Sequence, residues 1–246
     1  MKTRIKLLCL FVVLSTSCLA AQSIYQKGKI QVGKKKFIDA YIAIDFRYPQ
    51  RFQNSLTYIS PKDFAKFQEK GKLKNSWKEK LSLKDFKGFT LENGKTFKVV
   101  KYADLTKKNL GMLPKRFCLE QIANGPIAAF KFYQRTTGKI SHELSNVVFE
   151  SKKNNDKLLI DYIQDNFQIL VQKDSKNPRN IMAINLLNFI GDNEQVRANY
   201  EANHYGFRNQ FTERQKFGVI VNQKYEAAFL RMVNDYNQQN ETATGN

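Results

Sequence analysis

The chain has 246 residues, of which 42% are hydrophobic and 26% are charged. This composition suits a folded protein with its own core and excludes a largely disordered chain. The 41 basic and 22 acidic residues give a net charge of +19, which favours anionic partners such as nucleic acid, anionic lipid or acidic glycan. Lysine outnumbers arginine about three to one, whereas nucleic-acid binders rely on arginine. Compositional bias therefore explains the charge better than polyanion binding does.

Residues 1–21 predict a signal peptide. Lys2, Arg4 and Lys6 precede the apolar run Leu7–Leu14, and Cys18–Ala21 supplies the small residues that a signal peptidase accepts. The apolar run is too short for a permanent membrane helix, which needs about 20 residues. We therefore expect an exported protein of a bacterial envelope, periplasmic or secreted, whose mature chain has no transmembrane span.

Two kinds of cleavage are compatible with this segment. A signal peptidase would cut after Ala20 or after Ala21. A lipoprotein peptidase would leave a lipid on Cys18, but it needs an apolar residue three places earlier, where Ser15 stands. Either cut removes three cationic side chains and leaves 16 of the 19 net positive charges. After peptidase cleavage Cys118 is the remaining cysteine, which cannot form an internal disulfide.

Alternating apolar residues between turn residues predict a β-rich domain over residues 22–175. The first two strands are expected to form a hairpin, and Asp45–Asn54 is expected to be a loop. Asn93-Gly94 predicts a type I′ hairpin turn, and Asn124-Gly125 predicts a second hairpin turn. The expected strands are Ile24–Val32, Lys36–Ile44, Ser55–Ile59, Phe86–Leu91, Thr96–Tyr102, Arg116–Ile122, Ile127–Tyr133, Leu144–Phe149, Leu158–Ile163 and Phe167–Val171.

A short helical insertion is expected near residues 61–80. Ser60 can cap a helix, Pro61 suits the first helical position, and the helix should end near Gly71. The lysine-rich remainder, as far as Lys84, is expected to be a solvated linker with Trp77 as its anchor.

Residues 176–240 predict a helical segment, and residues 241–246 a flexible tail. Asn177 and Pro178 are expected to open a helix that ends at Gly191, and Asp192 with Gln195 resembles a capping box for a second helix. A third helix, from about Gln223 to Tyr236, is expected to bury Tyr225, Phe229, Met232, Val233 and Tyr236.

The order of these elements predicts an α+β fold. An antiparallel, β-rich N-terminal and central part, built from hairpins in a sandwich-like or barrel-like arrangement, should carry the C-terminal helices packed on it.

Five short segments combine turn residues with strand patterns: Leu83–Phe89, Asn93–Phe97, Arg116–Ile127, Phe130–Tyr133 and the pair Tyr236-Asn237. Together they resemble a pattern common in exported, largely uncharacterised proteins of Bacteroidota. The resemblance covers residues 24–135 and 180–237 and departs from the pattern in the insertion around 64–77. It implies export and a β-rich fold, and it implies no catalytic residue.

The residues that usually carry chemistry are sparse. His142 and His204 are the only histidines, and neither has a cysteine or carboxylate at metal-ligand spacing beside it. Phosphate-binding, dinucleotide and nucleophile-elbow motifs do not occur in the sequence. Cys118 lies in an apolar run, where a thiol is expected to be packed. We expect no cofactor, no metal and no catalytic residue.

One cluster combines polar, aromatic and cationic side chains. His204, Tyr205, Arg208 and Arg214 could hold an acidic ligand. The alternative is a loop after a helix, in which Tyr205 packs onto the sheet together with Phe207.

These observations favour a non-catalytic binding or structural module of the cell envelope that contacts an envelope component or a protein partner. A basic protein that binds lipopolysaccharide, acidic glycan, nucleic acid or an anionic membrane surface is the first alternative. A hydrolase with dispersed catalytic groups, such as a histidine brought beside Cys118, is the second.

Overall fold

The computed structural model describes residues 24–103, 113–133, 152–165, 167–174, 176–207 and 223–244. These residues form ten strands with antiparallel ladders and six α-helices, most of them C-terminal, so the expected α+β class is confirmed. The chain divides into two compact units at Val99/Val100. Several predicted features lie outside the described residues: the predicted signal peptide, His142, the expected strand Leu144–Phe149, Arg208 and Arg214.

The first unit contains a meander of short strands interrupted by two helices. Its strands lie in the order β6-β5-β1-β2-β3-β4. The elements are β1 Tyr25–Gln31, β2 Phe37–Ala43, α1 Gln50–Asn54, β3 Ser55–Ile59, α2 Pro61–Lys70, β4 Lys78–Ser82, β5 Gly88–Leu91 and β6 Thr96–Tyr102, the last of which ends in the second unit.

Helix α2 forms as its end signals predict. The Ser60 hydroxyl accepts from the backbone N–H of Asp63, Pro61 occupies the first turn, and Gly71 ends the helix with a φ of 63°. The buried side chains Phe64 and Phe67 pack on β3, and Tyr41 of β2 stacks on Phe64 with 3.6 Å between ring centroids. Trp77 packs half-buried against the same cluster, as expected for an anchor.

Three expectations for this unit are wrong. Residues 50–54 form a helical turn instead of a loop, and Lys78–Ser82 is a strand paired with β3 instead of a solvated linker. The Asn93-Gly94 turn is not type I′, because Gly94 has a positive φ of 86° and Asn93 does not. Gly94 N–H donates to the Leu91 carbonyl at 3.0 Å, and Leu91 N–H donates to the Lys95 carbonyl at 2.9 Å. The loop therefore has three residues, with its left-handed conformation carried by glycine.

The second unit begins within β6 and carries the longer helices. Its own strands lie in the order β10-β9-β8-β7. The elements are β7 Lys115–Ala123, β8 Ile127–Tyr133, α3 Lys152–Asp165, β9 Phe167–Lys173, β10 Arg179–Asn180, α4 Leu186–Phe189, α5 Glu194–Glu201 and α6 Gln223–Thr244, with a 3₁₀ turn at Ile181–Ala183 before α4.

Helix α6 supplies much of the core of this unit, because it packs on β7, β8 and α5. All five side chains expected on its buried face are at most 2% exposed. The helix runs on to Thr244, well beyond the expected end at Tyr236. Cys118 is fully buried in β7 and is a free thiol.

The sequence patterns mislead at three places in this unit. Leu158–Ile163, expected to be a strand, lies inside helix α3. The single helix expected from Pro178 to Gly191 is instead the short strand β10, a 3₁₀ turn and the four-residue α4. The cap of α5 is Asn193, whose side chain accepts from the N–H of Val196, and is not Asp192.

Candidate binding groove

A groove of about 560 Å³ lies in the second unit where β9 and β10 meet α4. Amide, cationic, acidic and apolar side chains share its walls. The lining residues are Val171, Lys173, Asp174, Lys176, Asn177, Arg179, Ala183, Ile184, Asn185, Asn188, Phe189 and Asp192.

Tight turns build the groove. The backbone turns at Asp174, which has a positive φ of 52°, and β10 then pairs with β9 through Arg179 opposite Val171. The Asn180 side chain accepts from the N–H of Met182 and starts the 3₁₀ turn. The Asn185 side chain accepts from the N–H of Asn188 and starts α4. Asparagine side chains thus divide the segment into short pieces, because they compete with the backbone for its N–H groups.

One groove cation is neutralised within the protein. The Lys173 ammonium lies 2.6 Å from the carboxylate of Asp192 and donates to the Phe189 carbonyl at 2.7 Å. It also lies 4.9 Å from the centroid of the Tyr236 ring. The Tyr236 hydroxyl donates to the other oxygen of Asp192 at 2.7 Å.

This network holds Asp192 in its charged form. Partial burial opposes ionisation, but the hydrogen bonds from Lys173 and Tyr236 outweigh it and lower the pKa of Asp192. Burial and the hydrogen bond to Asp192 raise the pKa of Tyr236. The part of the groove wall formed by Lys173 and Asp192 is therefore internally neutral, and Tyr236 holds Asp192 in place.

Two other groove cations have no such partner. Lys176 and Arg179 are exposed, and within the described part of the chain neither forms an ion pair. Among the described residues, the Arg179 guanidinium has one hydrogen bond, a long one of 3.4 Å to the Ala183 carbonyl. A second hollow of about 230 Å³, which Lys101 also lines, shares Asn177, Arg179 and Ala183 with the groove. The Arg179 guanidinium is therefore available to a ligand at the boundary of the two hollows.

Amide groups accompany these cations along the groove. Asn177, Asn185 and Asn188 are all exposed there. A carboxamide both donates and accepts hydrogen bonds, as a ligand hydroxyl does. Phe189 is half-buried and adds an apolar surface. The groove can therefore bind a ligand that combines negative charge with hydroxyl groups.

The cluster predicted from the sequence lies elsewhere. His204 is exposed after α5, whereas Tyr205 is buried and its hydroxyl donates to Asp235 of α6. Burial and this hydrogen bond raise the pKa of Tyr205 to about 12. Phe207 is also buried, and its ring contacts are with Tyr200 and Tyr225, on α5 and α6 rather than on a strand.

With Arg208 and Arg214 outside the described residues, the ligand-binding role of this cluster stays a prediction. The groove residues were missed by sequence reasoning. Their one available signal was the density of asparagine between residues 177 and 193.

Cys118 is packed within the core. It has no exposed surface, and burial raises the pKa of its thiol. The residues that the structure describes include no group of three or more histidine, cysteine or carboxylate side chains that could hold a metal ion.

Comparisons with protein-family models, with curated proteins and with solved structures gave no match. Among the helices within the described ranges, none is long and apolar enough to cross a membrane.

Proposed function

We propose that this protein is an exported, non-catalytic binding module that holds an acidic glycan in the groove between β9, β10 and α4. The signal-peptide pattern in residues 1–21 and the resemblance to exported proteins of Bacteroidota support the envelope location. One observation carries the binding proposal: Arg179 and Lys176 face the groove without an acidic partner in the described chain, beside three asparagine amides.

The chemistry of the groove favours an acidic glycan over a compact anion. The planar guanidinium of Arg179 can hold a carboxylate through two parallel hydrogen bonds, and the amides can pair with several hydroxyl groups. Lys176, Asn188 and Phe189 line the same groove, so one extended ligand can contact all three. A uronic-acid oligosaccharide supplies both kinds of group along one chain.

Calorimetric titration of tetragalacturonate into the purified protein tests this proposal. We expect binding of tetragalacturonate and no comparable binding of neutral tetragalactose. The double variant Arg179→Gln, Lys176→Gln should bind about a hundredfold more weakly, because it loses two charge-assisted contacts. The matched control is Lys157→Gln, Lys224→Gln, which removes the same charge from exposed positions outside the groove.

Three results would contradict the proposal. They are an absence of acidic-glycan binding, an equal loss in the two double variants, and recovery of a cleaved or otherwise altered ligand, which would show catalysis.

A second candidate function is non-specific polyanion binding by the whole basic surface. The net charge of +19 favours it. Heparin binding measured at low and at high salt separates the two functions: a surface-wide interaction should weaken steeply with salt and should fall equally in both double variants.

A further inference from the structure

The turn between β1 and β2 carries a cluster of lysines that the groove does not use. Lys34, Lys35 and Lys36 are all exposed, and Phe37, the first residue of β2, is 58% exposed. We name these four residues the basic hairpin. We propose that the basic hairpin docks the protein on an anionic phospholipid bilayer, with the lysines among the headgroups and the Phe37 ring at the boundary of the acyl chains.

The backbone of the turn is held in place. The N–H groups of Val32 and Gly33 both donate to the Lys36 carbonyl, at 3.0 and 3.3 Å. The Gln31 side chain donates to the Lys34 carbonyl at 3.3 Å. The paired strands on either side fix the register, with Gln31 opposite Phe37. The three lysines are thus presented together from an ordered hairpin, so little further ordering is needed on binding.

The surroundings add positive charge. Phe37 borders a small hollow on the sheet face, and Lys29 of β1 and Lys98 of β6 line the same hollow. Asp39 is the nearest acid along β2, and Glu92 is already paired with Lys27 at 2.8 Å. Within the described residues, the three lysines of the basic hairpin form no ion pair. The local charge balance therefore favours an anionic partner.

The exposed Phe37 ring favours a lipid bilayer over other anionic partners. A large exposed aromatic beside lysines is typical of the membrane interface, where the ring leaves water and the ammonium groups remain at the headgroups. Each lysine near an anionic bilayer is worth about fivefold in affinity at moderate salt, so the three together should contribute about a hundredfold. Lysine acts here as a point charge towards many lipid phosphates, without the bidentate geometry that a single defined anion favours.

The test compares vesicle binding by two variants of equal charge. Co-sedimentation with phosphatidylglycerol/phosphatidylcholine vesicles is measured for the unchanged protein, for the triple variant Lys34→Gln, Lys35→Gln, Lys36→Gln, and for the control Lys62→Gln, Lys70→Gln, Lys72→Gln. The control lysines are also exposed, on α2 and just after it. We expect a loss of about a hundredfold in the hairpin variant, a small loss in the control, and negligible binding to pure phosphatidylcholine.

Insertion of the ring is tested separately. Trp77 is the only tryptophan, so the double variant Phe37→Trp, Trp77→Phe places the sole tryptophan, which can be excited selectively over tyrosine, in the basic hairpin. Its emission should shift to the blue and be quenched by brominated lipid on vesicle binding, whereas Trp77 in the unchanged protein should not respond.

An equal loss in the two lysine variants, or no vesicle binding by the unchanged protein, overturns the proposal. Unshifted, unquenched emission from the vesicle-bound double variant overturns the insertion of the ring. Circular dichroism of each variant checks that it is folded. None of these outcomes depends on a glycan, so failure here is distinguishable from failure of the groove.

Discussion

Asn237 of α6 connects the helix to the β7–β8 hairpin. Its side chain accepts from the N–H of Ile127 at 2.8 Å and donates to the carbonyls of Ile127 and Asn124 at 2.9 and 3.3 Å. Asn237 is 6% exposed and Ile127 is fully buried. Replacing Asn237 with alanine leaves the buried Ile127 N–H without this acceptor. A buried N–H group left without a hydrogen-bond acceptor costs about 1–3 kcal/mol of unfolding free energy. Loss of the two hydrogen bonds that Asn237 donates brings the expected destabilisation to about 2–4 kcal/mol.

Asn234→Ala is the matched control on the same helix. Asn234 is exposed, and the substitution improves helix propensity by about 0.5 kcal/mol, as it also does at position 237. Urea unfolding followed by circular dichroism should give a clearly lower midpoint for Asn237→Ala, with an unchanged slope, and an equal or higher midpoint for Asn234→Ala. Equal midpoints for the two variants would refute the reasoning.

Gly125 provides a second test of the same contact. It has a φ of 143°, and a Cβ built on it would lie 2.7 Å from Cγ and Nδ2 of Asn237. Gly125→Ala therefore meets both backbone strain and a clash. Truncating Asn237 removes the clash but not the strain. We expect the double variant to be less destabilised than the sum of the single variants by about 1–2 kcal/mol, and strict additivity would contradict the geometry.

Three further predictions concern a carboxylate, a thiol and a helix end. The folded-state pKa of Asp192 is lowered, so its stabilising contribution is present above its unfolded pKa of about 4 and is lost as pH falls through the folded value. Asp192→Asn should therefore lose less stability than the unchanged protein between about pH 5 and pH 2. Parallel plots of unfolding free energy against pH for the two proteins would argue against the network. The Cys118 thiol, fully buried with a raised pKa, should react with a disulfide reagent in mildly alkaline buffer only as fast as the protein opens, and complete labelling within seconds in native buffer would disprove its burial. Gly71→Ala should destabilise the protein by about 1 kcal/mol in urea unfolding, because φ is 63° there and alanine is strained in that region; an unchanged midpoint would show that the helix end adapts.

Sequence reasoning predicted correctly those elements whose ends are set by capping and turn residues. The cap at Ser60, the proline at Pro61 and the glycine at Gly71 set the two ends of α2 by local interactions. The hairpin of β1 and β2 also forms as expected, with Tyr25 opposite Ala43. The buried stripe of α6 follows from helical spacing of large apolar residues.

The expectation for Leu158–Ile163 failed because a short apolar run is compatible with both a strand and a helix. The deciding pattern lies in the charged residues. Lys157, Asp161 and Asp165 are exposed and four residues apart, as on one face of a helix. The helix also begins upstream, at Lys152, so that its 14 residues exceed the usual length of a strand.

The groove could not be predicted, because its walls depend on breaks in a helical pattern. Ile181, Ile184 and Leu187 have the spacing of a buried helical stripe, yet the side chains of Asn180 and Asn185 capture backbone N–H groups and interrupt it. Only then does Arg179 pair with β9 and face the groove. The sequence shows the competing residues but not which of them prevails, since that depends on packing against β9.

The adjacent residues Tyr236 and Asn237 have a large structural role although neither residue is a candidate for chemistry. Neighbouring residues on a helix point about 100° apart, so these two side chains contact two different parts of the unit. The Tyr236 hydroxyl donates to Asp192 at the wall of the groove, and Asn237 holds the turn between β7 and β8. The Asp174 N–H donates to the Pro126 carbonyl of that same turn. Helix α6 therefore fixes the groove wall at Asp192 directly. It also fixes the end of β9 at Asp174 through the β7–β8 hairpin. Together these contacts keep Arg179 and Lys176 on a preorganised surface.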